Sequence, residues 1–275
     1  MNPLGLAPAL VCYLAATVGF ILERTSSTVQ WGRRATLALA TGATLQIIAM
    51  ATSGVRAGNI PVTDFAESLC FLSWLTAVAG LILIVRYRIA VIGTFVAPLV
   101  LVATAIAAAT IRQRQLRIPA ALRSAWLPVH VTLAFLGFAL FLLAAGVSVV
   151  YLIYERRLKA KRPLAAVEEW VPSLEKLDGI NYQLLIWGFL MLTLAIITGA
   201  IWADATWGHF WSWEPQEFWS FVIWLMYAGL LESRLTAGWR GRRVATLTIA
   251  VLTVLIGSFV GVSLLNPGKH GGSFG

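Results

Sequence analysis

The chain has 275 residues, 59% of them hydrophobic and 12% charged, with a mean hydropathy of +0.81. This is far outside the soluble range and excludes a water-soluble globular domain. The formal charge of +9 does not point to nucleic acid, because the basic residues fall in short loops between apolar runs, where they set membrane topology. Cys12 and Cys70 lie in separate apolar segments with no C-x-x-C, which argues against thiol–disulfide and iron–sulfur chemistry, and without C-x-x-C-H the chain is not itself a c-type cytochrome.

A helix needs roughly 17 to 25 apolar residues to cross about 30 Å of hydrocarbon. The expected fold is therefore an all-α, polytopic membrane bundle of about eight transmembrane helices in one domain, residues 1–275. The first span is placed at Pro3–Leu22, without the basic n-region or A-x-A site of a cleaved signal peptide, so a retained helix is expected. The second, third and fourth are placed at Ala35–Ser53, Ala66–Val85 and Ile89–Ile111. The fifth to eighth follow at Pro128–Tyr154, Tyr182–Ile201, Phe218–Ser233 and Val244–Leu265. The seventh is the shortest, and its outer end is expected to begin inside the aromatic stretch that precedes it. Between the fifth and sixth spans, the basic run ERRLKAKR leads through Val171-Pro172-Ser173 to Asp178, read as a short surface helix opened by proline.

Loops after the odd-numbered spans carry 15 of the 21 Lys and Arg residues, and the opposite side carries 6. The positive-inside bias predicts both termini outside the cytoplasm. One loop departs from the rule: Arg112, Arg114, Arg117 and Arg123 sit on the expected outer face.

The stretch Trp202–Trp219, WADATWGHFWSWEPQEFW, holds five of the twelve tryptophans, interleaved with Asp204, His209, Glu214 and Glu217. Tryptophan favours the membrane–water boundary, but a plain aromatic belt does not account for the Glu214-Pro215-Gln216-Glu217 core. A platform that stacks a large flat ligand does. The chain has three histidines, His130, His209 and His270, all placed by topology on the outer face with this stretch. Haem asks for an axial nitrogen on each side of the iron and aromatic contact for the macrocycle. His130, opening the fifth span, and His270, following the eighth, are the candidate iron ligands. His209 reads equally as a ligand or as a polar spacer. The aromatic stretch has acids and no Lys or Arg, so haem propionates are expected to meet Arg117 and Arg123, Arg56, or Lys269 instead.

The stretch GAIWADATWGHFWSWEPQEFW resembles the tryptophan-rich WWD signature of haem-handling membrane proteins, and the chain is similar to the CcsA (ResC) family of system II cytochrome c assembly. Ala57–Pro61, Glu67–Trp74, Pro172–Asp178, Gly188–Gly199 and Gly238–Arg243 extend the resemblance to about two-thirds of the chain. It implies haem (haem b) bound at the extracytoplasmic face against Trp202, Trp207, Gly208, Trp211, Trp213, Glu214, Pro215, Glu217 and Trp219, with His130 and His270 standing at the positions of the family's external histidine pair. It further implies presentation of haem to apocytochrome c for thioether attachment, a membrane partner of the CcsB (ResB) type, haem-lyase activity only in that complex, and residence in a plasma (inner) or thylakoid-type membrane. The family's intramembrane histidine is Glu232 here, its WWD aspartate is Glu214, and its lysine is Gln216. Two alternatives stand beside this reading: a HemX-like accessory or regulatory protein of the haem pathway, and a haem exporter.

Overall fold

The computed structural model describes residues 3–25, 30–57, 65–111, 126–160 and 172–265. After a short 3-10 turn at Pro3–Leu6 come α1 (Ala7–Thr25), α2 (Gln30–Ala57), α3 (Phe65–Tyr87) and α4 (Ala90–Thr110). They are followed by α5 (Trp126–Lys159), α6 (Leu174–Trp207), α7 (Pro215–Leu235) and α8 (Arg242–Leu265). Among the described residues there is no strand, as expected where every backbone group must be satisfied within its own segment. By length and composition α1 to α6 can each cross a membrane, and α7 and α8 occupy the places expected of the seventh and eighth spans. The chain is a multi-pass membrane protein of bundled helices. Threonines on exposed helix faces, such as Thr41, Thr44 and Thr253, return their hydroxyls to the carbonyl four residues earlier, so they present no unsatisfied group to lipid.

Two boundaries differ from the expectation. From Leu174 on, the segment expected as a short surface helix is continuous with the sixth span, while residues 161–171 lie outside the described residues. Ser173 accepts from the Lys176 N–H at the start of α6, and nothing between Leu174 and Trp207 breaks the helix. At 34 residues, α5 and α6 are each about 50 Å long at ~1.5 Å per residue, well beyond the hydrocarbon thickness. The second difference is at the other end of α6, which runs on through Trp202 to Trp207. As expected, α7 begins inside the aromatic stretch, at Pro215, so the loop between the two helices is confined to 208–214.

The chain divides into two compact units, Met1–Arg114 with Val150–Leu177 and Gln115–Val149 with Asp178–Gly275. In the first, small residues let helices approach closely. A Cβ placed on Gly19 would lie 2.9 Å from that of Ala35, and one on Gly80 would lie 2.6 Å from Val96. A buried polar chain ties the four helices together: the Tyr13 hydroxyl donates to Gln46 Oε1, and Gln46 Nε2 donates to the Cys70 carbonyl (3.0 Å) and to Ser73 Oγ (2.9 Å). Thr104 closes it by donating to Ser73 Oγ at 3.1 Å. Such groups are costly in an apolar interior unless paired, and here each finds a partner.

In the second unit, Phe141 stacks on Tyr227 with centroids 3.6 Å apart. Asn181 donates to the Ala144 carbonyl and to Ser148, joining α6 to α5. At the loop joining α7 to α8, Asp178 accepts both guanidinium nitrogens of Arg234 and the backbone N–H of Gly241, while the guanidinium lies 4.4 Å over the Tyr182 ring. Arg234 is thereby committed to Asp178 and not to Glu232, which is exposed near the end of α7.

Candidate functional site

The candidate site lies within the second unit, where the first turn of α5, the last turns of α6, the 208–214 loop and the first turns of α7 supply its residues. On α6, Ala195, Gly199 and Trp202 recur at i, i+4 and i+7 and so share one face. His130 of α5 is seated on that face. Its Nδ1 lies 2.8 Å from the Ala195 carbonyl oxygen, and because a carbonyl only accepts, Nδ1 carries the proton. The lone pair of the neutral imidazole is then on Nε2, which is how ligating histidines are oriented at metal centres. The ring stacks on Trp202 at 6.2 Å and 19°. Gly199 makes room for it: a Cβ there would stand 2.7 Å from both Cε1 and Nδ1.

From Trp202, which is buried, the aromatic contacts continue outward. Trp207 meets Trp202 edge-on at 5.1 Å, and His209 stacks on Trp207 at 6.5 Å and 21°. The two imidazoles thus flank a tryptophan pair, His130–Trp202–Trp207–His209. A second series starts at Trp213, which meets Trp211 edge-on at 5.8 Å. It passes through Phe221 to Trp224, and Trp224 is fixed by its N–H to Thr193 Oγ1 (2.9 Å) and by stacking with Phe189 at 5.3 Å. Phe210, Trp213, Phe218 and Trp219 are exposed, so the rings form a surface, while His209 Nδ1 and Trp211 Nε1 are buried with no hydrogen-bond partner among the described residues.

The loop is fixed at both of its ends. Gly208 ends α6 at φ +77°, with its N–H to the Asp204 carbonyl, a left-handed C-cap that suits glycine. Pro215 occupies the first turn of α7 after the N-cap Glu214, where a missing N–H costs nothing. Glu217 turns its carboxylate back onto the loop, accepting from the Ser212 N–H (2.7 Å), the Glu214 N–H (3.3 Å) and the Ser212 hydroxyl (3.2 Å). Trp219 packs edge-on against Phe218 at 5.7 Å.

His130, Trp202, Trp207, Gly208, Trp211, Trp213, Glu214, Pro215, Glu217 and Trp219 therefore gather at the loop and the helix ends that flank it, within one unit. Arg117, Arg123, Lys269 and His270 lie outside the described residues, and Arg56 closes α2 in the other unit. Among the described residues no three His, Cys, Asp or Glu side chains group as a metal cluster. Sequence reasoning missed Ala195 and Gly199 as the seat of His130. Their spacing, four residues from Ala195 to Gly199 and three more to Trp202, was the available signal.

Residues 62–270 match the model of the cytochrome C assembly protein family. The chain is 31% identical over 243 residues to the cytochrome c biogenesis protein CcsA of Prochlorococcus marinus (strain MIT 9303), covering 78% of this chain and 76% of that one. It is 33% identical over 238 residues to CcsA of Synechococcus sp. (strain CC9902), covering 78% of each. Among solved structures, the cytochrome c heme lyase CcmF superposes with a TM-score of 0.63 at 17% identity, covering 100% of this chain and 49% of that one, a likeness of fold. With its family's signature stretch folded into an aromatic surface and His130 seated beside it, this chain belongs to the cytochrome c assembly protein family, and its place is in cytochrome c biogenesis.

Proposed function

We propose that the chain holds haem against the tryptophan surface and presents it to apocytochrome c for thioether attachment, with His130 and His270 as the axial ligands of the iron. The observation that carries this reading is the seat of His130: a donated Nδ1–H to Ala195, a stacked Trp202 beneath the ring, and therefore an Nε2 lone pair suited to iron. The exposed indoles of Trp213 and Trp219 and the flanking Phe210 supply apolar area for a macrocycle. The haem propionates are assigned to Arg117 and Arg123. When haem is bound it brings the vinyl groups that the apoprotein's thiols attack, and this chain contributes position, orientation and exclusion of water. On this reading the aromatic face is extracytoplasmic, both termini are on that side, and a CcsB (ResB)-type membrane protein completes the active complex.

Detergent-purified protein carrying H130A together with H270A tests the ligand assignment by absorption spectroscopy. The unsubstituted chain is expected to show the sharp bands of six-coordinate, low-spin haem, and the double variant to lose them with its helical circular dichroism unchanged. An unaltered low-spin spectrum in the double variant overturns the assignment.

A further inference from the structure

Trp213 has a backbone φ of +58°, the left-handed region that glycine enters freely and a residue with a Cβ enters only under constraint. Its side chain is 67% exposed, so burial does not impose that conformation. The constraint comes from Glu217. One carboxylate oxygen accepts the N–H of Ser212 and the N–H of Glu214, the residues on either side of Trp213, and Ser212 Oγ donates to both oxygens. Below it, Pro215 and the Phe218 N–H to Glu214 carbonyl bond anchor the chain in α7. Strain of this kind persists only where the surroundings over-determine it, and it clusters at ligand-binding and active sites.

We propose that Glu217 is a positioning residue: it touches no ligand itself, but clamps both amides flanking Trp213 and so holds that indole outward as a fixed wall for a flat ligand. The clamp stands on its own geometry; that the ligand is haem rests on the function proposed above. The chemistry separates a clamp from a charge. A glutamine oxygen can accept the same two amides while its NH2 turns toward Ser212 Oγ, so E217Q keeps the clamp without the charge. Methionine keeps the volume and accepts neither bond, so E217M removes the clamp.

The test uses the full chain in detergent with 5-fluorotryptophan, read by 19F NMR, with W213F identifying the Trp213 resonance. E217M is expected to shift or broaden that resonance alone, and E217Q to leave it in place. Titration with haemin is expected to weaken about tenfold in E217M, the scale of one lost charge-assisted hydrogen bond, and less than about twofold in E217Q. A Trp213 resonance unmoved in E217M overturns the proposal, as does E217Q behaving like E217M. If E217M does not fold, W213G/E217M decides, because glycine needs no clamp: a folded double variant supports the proposal and an unfolded one overturns it. A resonance that moves in E217M with haemin affinity intact leaves the clamp standing and removes haem from the Trp213 wall.

Discussion

Replacing Gly199 by alanine isolates the seat of His130 without touching any residue assigned to haem. The new Cβ would stand 2.7 Å from Nδ1 and Cε1 of the imidazole, about 0.7 Å short of ordinary van der Waals contact. The ring must therefore retreat from the backbone of α6, the same backbone that carries the Ala195 carbonyl. The 2.8 Å hydrogen bond would stretch to roughly 3.5 Å, the outer limit for such a bond. Alanine in place of glycine favours a helix interior by about 1 kcal/mol, while the lost bond costs about 1 kcal/mol and overpacking about 1–3 kcal/mol. The net expectation is a loss of about 1–3 kcal/mol, together with a freed imidazole tautomer and weakened haem retention. G229A is the internal control: Gly229 is exposed on α7 and has nothing within 4 Å of a built Cβ, so only the helix propensity operates and stability should hold or rise by up to about 1 kcal/mol. Thermal unfolding in detergent and the haem absorption spectrum read both effects. A G199A protein that melts with G229A and keeps the parental spectrum refutes the reasoning.

The two polar clusters give sharper stability predictions. R234K keeps the charge but loses the bidentate geometry toward Asp178 and the stack over Tyr182. A loss of about 1–2 kcal/mol is expected in chemical denaturation, and a variant as stable as the parent would show that the planar fork contributes nothing. Q46L strips the acceptor from Tyr13 and the donor from Ser73 and the Cys70 carbonyl inside the first unit. It should lower stability by about 2–3 kcal/mol despite adding apolar volume, and unchanged unfolding would mean that those groups pair elsewhere.

The helices were legible because hydrophobic runs of membrane length have few other solutions, and each of the eight expected spans lies on a helix. Their ends were less so. Residues 174–178 read as a surface segment because Glu175, Lys176 and Asp178 interrupt the apolar pattern, yet a helix longer than the bilayer is thick has no need to be apolar at its ends, and Asp178 serves as the anchor for Arg234 and Gly241. The tryptophan stretch announced itself by composition, but composition does not say which of its residues face a ligand. That Glu217 bends back onto Ser212 and Glu214 depends on the backbone of Trp213, and a left-handed tryptophan leaves no mark on a sequence. His130 was singled out by rarity, by its place at the outer start of the fifth span and by the family resemblance, none of which shows what seats it. The spacing of Ala195, Gly199 and Trp202 would have supplied the reason.

Only seven residues, 208–214, separate the last turn of α6 from the first turn of α7. A connection that short, pinned by left-handed residues near both ends, has no slack with which to swing as a lid. A planar guest would then have to be admitted by rotation of exposed rings such as Phe210 and Trp219 about their own side-chain bonds, so access to the site would be governed by nanosecond rotamer hops and not by slower loop motion.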